Sequence, residues 1–186
     1  MLAAKCISPA PAKHVSPQSG FTLIELMVAM LILSVGLLAM AALQASSVRS
    51  THMAYMRTQA GFAATEMAER MRVNIVGVNN NAYANVSSPP AGTAPTDCSA
   101  NNCGDAAMAA DDIYQWLTSL ANNRDLLSAQ GRVQCVDSDT TDGDACTDGS
   151  VHVITVMWDG RRNGATGTGC TSSVTDLICY QTRIQP

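Results

Sequence analysis

From Phe21 to Leu43 the chain has twenty-three residues and a single ionisable group, Glu25. A helix of that length reaches about 34 Å, enough to cross a hydrocarbon core of roughly 30 Å. A carboxylate inside such a helix costs on the order of 2.5 to 3.5 kcal/mol or more at the bilayer centre, so it calls for a partner. The sequence offers one. A cut between Gly20 and Phe21 would create an α-amino group one helical turn from Glu25, in reach of its own or a neighbouring helix's carboxylate. Gly20, Phe21 and Glu25 are therefore the first candidates for function, as a processing and pairing site.

The cysteines come next. After residue 20 they fall as Cys98/Cys103, Cys135/Cys146 and Cys170/Cys179, with Cys6 standing apart. Six cysteines allow fifteen connectivities, and clustering in pairs favours nearest-neighbour bridges. A closed loop of about fifteen residues gains roughly 3 kcal/mol in the entropic account. A zinc site is disfavoured: there is no Cys-x-x-Cys, and only His52 and His152 lie after residue 20. Asp137, Asp139, Asp142 and Asp144 put four carboxylates in eight residues, a weak calcium candidate. The EF-hand spacing fails, because the sixth position from Asp137 is Asp142 and the twelfth is Asp148. A solvated acidic hairpin between Cys135 and Cys146 is the better reading, and Arg161-Arg162 beside Asp159 reads as a charged turn. No catalytic constellation, Walker-type loop or dinucleotide fingerprint is present, and no cofactor is implied.

These residues need elements to position them. Residues 1–20 are polar, with Pro9, Pro11 and Pro17, and lack the apolar core of a secretory signal. Lys5 and Lys13, with no acid before Phe21, place this leader in the cytoplasm by the positive-inside rule. The chain beyond Leu43 is then extracytoplasmic, where disulfides persist, and loss of Cys6 with the leader leaves an even number. Residues 21–186 hold nine Arg, no Lys and fifteen acids, about −6 in charge, which argues against a nucleic-acid partner.

Beyond Leu43 the apolar run becomes amphipathic without a break. Met53, Met56, Ala60, Ala63, Met67 and Met71 mark one face, and Glu66–Arg70 is a favourable pair on another. One helix over 21–73 follows, with 21–43 spanning a membrane and Gly36 and Gly61 its only weak points. Residues 79–98 read as a turn-rich connector broken by Pro89, Pro90 and Pro95. A second helix is expected over 106–121, capped by Asp105, with Met108, Ile113, Trp116, Leu117 and Leu120 on one face. Residues 132–136, 151–158 and 178–184 read as strands. The middle one is apolar on both sides and is expected to be central or covered by the first helix.

The segment Ser19-Gly-Phe-Thr-Leu-Ile-Glu-Leu-Met-Val-Ala-Met30 resembles the prepilin signal of type IV pilins. That resemblance implies cleavage after Gly20 by prepilin peptidase, N-methylation of Phe21 and a docking role for Glu25. The order long helix, loop, short helix, antiparallel strands is similar to the α+β pilin fold, with a periplasmic head over 74–186. SVGLLAMAALQ, EMAERMR, DIYQWL and VMWDGRRN resemble the PilV-type minor pilins, the type IV pilus modification proteins. The resemblance implies a structural subunit with other minor pilins and the major pilin as partners. It would reside in the inner membrane first and in the pilus afterwards. Two other classes remain open: a type II secretion pseudopilin, and a ligand-binding tip subunit for adhesion or DNA uptake.

Overall fold

The computed structural model describes residues 20–90, 92–139, 141, 143 and 146–185. The chain divides into two compact units, Met1–Ser47 and Val48–Pro186. The helix α1, Leu23–Val73, contributes to both, and neither Gly36 nor Gly61 ends it. Its start is set by Thr22, whose Oγ1 accepts the Glu25 backbone N–H at 3.4 Å, an N-cap that satisfies one of the helix's orphan donors. Every described residue up to His52 is exposed. The apolar part of α1 is long enough to cross a membrane, and none of it is buried.

In the second unit, α1 turns one stripe towards the core: Met56, Ala60, Ala64, Met67, Ala68 and Met71. The expected stripe ran through Ala63. Ala64 takes that place because four residues from Ala60 keeps step with the 3.6-residue turn, and Ala63 is half-buried. Asn74 breaks the helix at φ −107°, ψ 56°, and its side chain accepts the Gly77 N–H to start α2, Ile75–Asn79. The second long helix, α3, spans Asp105–Ala121 and buries Ala109, Asp111, Trp116, Leu117 and Leu120. Asp105 does not cap it. Gly104 holds the cap position without a side-chain bond, and Asp105 bonds the α2 end instead: its Oδ2 accepts from Asn80 Nδ2 at 2.9 Å.

The sheet has four antiparallel strands in sequence order: β1 (Val86–Ser87), β2 (Gln130–Val136), β3 (Val151–Trp158) and β4 (Ile178–Ile184). β3 lies between two neighbours, with Ile154 opposite Val133 on one side and Thr182 on the other. Its Ile154, Val156 and Trp158 join the core of α1 and α3, while Met157 on the opposite face packs with Ala165 and Leu177. The central strand is therefore apolar on both faces because both faces are covered. β1 is an addition to the sequence reading, set within the proline-rich connector, where two residues carry no alternation to read. α3 lies close on β2: a Cβ on Gly131 would come within 2.5 Å of the Trp116 ring.

Candidate assembly site

The first unit places the proposed processing site on fully accessible chain. Gly20 precedes the helix, a Cβ there would meet nothing within 4 Å, and Phe21 is 85 % exposed. Nothing the structure describes around Gly20 demands glycine, so a demand for it would come from outside the fold. Glu25 occupies the first helical turn, the third residue after the Thr22 cap, where a carboxylate also faces the positive end of the helix dipole. Thr22 and Glu25 thus form the two ends of a capping-box spacing, a signal in the sequence that membrane cost alone did not reveal.

The second unit holds the head's chemistry. Cys98 joins Cys103, Cys135 joins Cys146 and Cys170 joins Cys179, each pair with Cα atoms between 5.5 and 6.0 Å apart. His152 is buried on β3, with Nε2 3.7 Å from the Cys146 sulfur. Cys135, Cys146 and His152 bring ligand-type atoms within 4.8 Å, but both sulfurs belong to a disulfide and offer no thiolate to a metal. Burial pushes the His152 imidazole below its ordinary pKa. His52 is exposed on α1, 3.4 Å from the Arg162 guanidinium.

Of the acidic loop, Asp142 and Asp144 lie outside the described residues. Asp137 Oδ1 accepts the N–H groups of Thr147 and Asp139 at 3.0 and 3.2 Å and the Ser150 hydroxyl at 3.2 Å. The Thr147 bond, foremost, holds this carboxyl below the usual range. Asp139 does the same for Thr141, and Asp176 for Thr171, each with a lowered pKa from those bonds. These carboxylates pin backbone, which is the role of Asx-turn acids. Arg161-Arg162 does form a turn after β3. Asp159 there is 3 % exposed and accepts Gly164 N–H at 2.8 Å and Asn163 N–H at 3.3 Å.

Sequence reading missed a polar network where α1, α2 and α3 meet. Arg70 donates to Glu66 and Asp112, both at 2.9 Å, and Tyr83 donates to the second Asp112 oxygen at 2.7 Å. Asn74 Nδ2 donates to the Tyr83 oxygen at 3.1 Å and to the Asp105 carbonyl at 2.7 Å. Burial opposes the charge on Arg70, but its carboxylate bonds outweigh that and raise its pKa. Burial, and then the Asp112 bond, push the Tyr83 phenol up. Asp111, one residue back, is buried and accepts the Cys98 N–H at 3.0 Å, tying the first disulfide loop to α3. The i, i+4 pair Glu66–Arg70 was the one visible sign; the other partners are non-local.

Fold and site define a class: an α+β subunit with a long N-terminal helix, apolar and exposed at its start, fixed to a disulfide-bonded head. Two family models match successive parts of the chain, the prokaryotic N-terminal methylation motif over residues 15–41 and type IV pilin Tt1218 over residues 42–114. The chain is a type IV pilin. Its methylation motif implies processing by prepilin peptidase and assembly with other pilins, and together with the apolar helix it fits membrane anchoring and incorporation into a pilus. No curated protein and no solved structure matches the chain.

Proposed function

We propose that this pilin is a minor subunit that helps initiate a type IV pilus or joins its tip, serving pilus biogenesis, twitching motility and adhesion. The observation that carries the reading is the exposed helix start, Gly20-Phe21 followed by Glu25 in the first turn, on an apolar segment with no buried residue. Before assembly the helix lies in the inner membrane with the head in the periplasm. Prepilin peptidase cuts after Gly20, and methylated Phe21 becomes the new N-terminus. Leaving the bilayer replaces lipid contacts by neighbouring helices and gives Glu25 a positive partner, a Phe21 amine on an adjacent pilin.

The minor role is supported by the four segments that resemble PilV-type pilins, three of which lie in the second unit. EMAERMR and DIYQWL meet through Arg70 and Asp112, and VMWDGRRN supplies Trp158 to the core that also contains Trp116. A head built on its own scaffold suits a few unlike partners, other minor pilins and the major pilin, in a short complex on which the fibre grows. The chain acts as structure and as the substrate of its peptidase, with no chemistry of its own. Deleting the gene should sharply lower surface pili and twitching while major pilin remains in the inner membrane. Pili unchanged, with export of a secreted enzyme blocked, would replace this reading by the pseudopilin one.

A further inference from the structure

We propose that the head carries a docking surface for anionic phospholipid, formed by Arg49, His52, Arg124, Leu127, Arg161 and Arg162. The proposal rests on the reading that the chain is membrane-anchored before assembly. Three separate segments meet here. The Arg162 guanidinium reaches His52 Nε2 at 3.4 Å, the Tyr55 hydroxyl donates to Asp125 at 3.1 Å, and the Asp159 N–H donates to the Leu127 carbonyl at 2.8 Å. Arg49, exposed on α1, lies three residues before His52 and seven before Met56, spacings that put it on the same side of the helix as both. The turn is fixed from behind: buried Asp159 holds the Asn163 and Gly164 N–H groups, and Arg161 donates to the Ser173 carbonyl at 2.9 Å. Arg162 takes a left-handed backbone, φ 54°, and stays exposed.

Charge complementarity chooses the occupant. Residues 21–186 are acidic overall, with nine Arg against fifteen acids, yet four of those arginines gather on these segments. Among the acids there, Asp125 is exposed, while Asp159 is buried and Asp176 half-buried with its carboxylate on Thr171. Leu127 at 50 % and Tyr55 at 46 % exposure add the apolar and amphipathic side chains that favour a bilayer interface. The chain supplies the proximity. Arg49 follows Leu43, the last residue of the apolar run, by six residues, about 9 Å of helical rise, which is comparable with the Debye length at physiological salt. An anionic surface would therefore attract this patch and repel the acid-rich remainder of the head, orienting it until assembly draws the subunit out.

The test uses the full mature chain, one copy per nanodisc, with discs of phosphatidylcholine alone or of phosphatidylcholine with phosphatidylglycerol. Amide hydrogen exchange is read at residues 124–128 and 159–164. Slower exchange in the anionic discs, abolished by high salt, is expected. Arg49→Gln combined with Arg162→Asn, an asparagine being suited to the left-handed backbone, should weaken the lipid-dependent protection about fivefold for each arginine removed. A chain that inserts but exchanges equally in both discs overturns the proposal and leaves the anchored reading standing. Failure to insert overturns that reading and this proposal with it. Protection absent from single-copy discs and present only in discs loaded with two copies names another pilin as the occupant and overturns the lipid. The wild-type comparison decides even if the double variant fails to fold.

Discussion

At the scale of single residues, the head separates two kinds of titrating group. His152 is 2 % exposed on the central strand, and burial lowers its pKa. The unfolded imidazole titrates near 6.5. Between the folded and unfolded values the unfolded chain binds more protons, so stability rises with pH in that window. The contribution is complete above about pH 6.5 and is lost as pH falls from there towards the folded value. Asp137, Asp139 and Asp176 act in a lower window, since their bonds to Thr147, Thr141 and Thr171 depress their pKa values below the ordinary carboxylate range. Their stabilisation is present above the unfolded pKa and fades as pH falls through the folded one. The urea midpoint of the oxidised mature chain in detergent should therefore fall between pH 7.5 and 5.5, and His152→Gln should remove most of that fall. An unchanged slope in the variant would assign the effect to another group.

At the scale of elements, the head depends on how closely α3 lies on the sheet. Gly131 lets β2 pass under Trp116, and an alanine there would come within 2.5 Å of two ring carbons and 2.8 Å of a Leu120 methyl. All three groups are buried, so no flexible end can yield. Gly131→Ala should destabilise the head by about 1 to 3 kcal/mol, read as a lower thermal midpoint in near-ultraviolet circular dichroism. Wild-type stability would show that α3 can shift. Trp116 also donates its indole N–H to the Ala63 carbonyl at 2.8 Å, linking α3 to α1. Trp116→Phe should cost about 1 kcal/mol or more through that bond, and equal stability would mean water replaces it. The sequence shows Trp116, Leu117 and Leu120 as one face and β2, β3 and β4 as strand segments, because both follow from local composition and periodicity. It does not show β1, α2 or the burial of Asp111 and Asp159. Two strand residues have no period, Asn74 ends α1 by its own backbone, and a buried acid is recognisable only when its distant donors are placed.

At the scale of the whole molecule, the proposed processing and pairing site belongs to one unit and the folded core to the other. Residues 20–47 are exposed throughout, whereas the core, the polar network and the disulfides lie within Val48–Pro186. Changes in the first unit should therefore leave the head intact, since distant sites without shared partners add independently. Mass spectrometry of the assembled subunit should find an N-terminus at methyl-Phe21; an intact leader in pili would sink the processing site. Glu25→Ala is the sharper experiment. In the bilayer the substitution removes an expensive carboxylate, so membrane retention should be unchanged or improved. In the fibre it removes the partner of a neighbouring amine, so an unpaired positive charge would remain among packed apolar helices. The expected result is a folded head with its three bridges intact, normal amounts in the membrane fraction and depletion from sheared pili. Equal recovery of variant and wild type in pili would show that the amine finds another partner and that Glu25 serves only as a helix-capping residue beside Thr22.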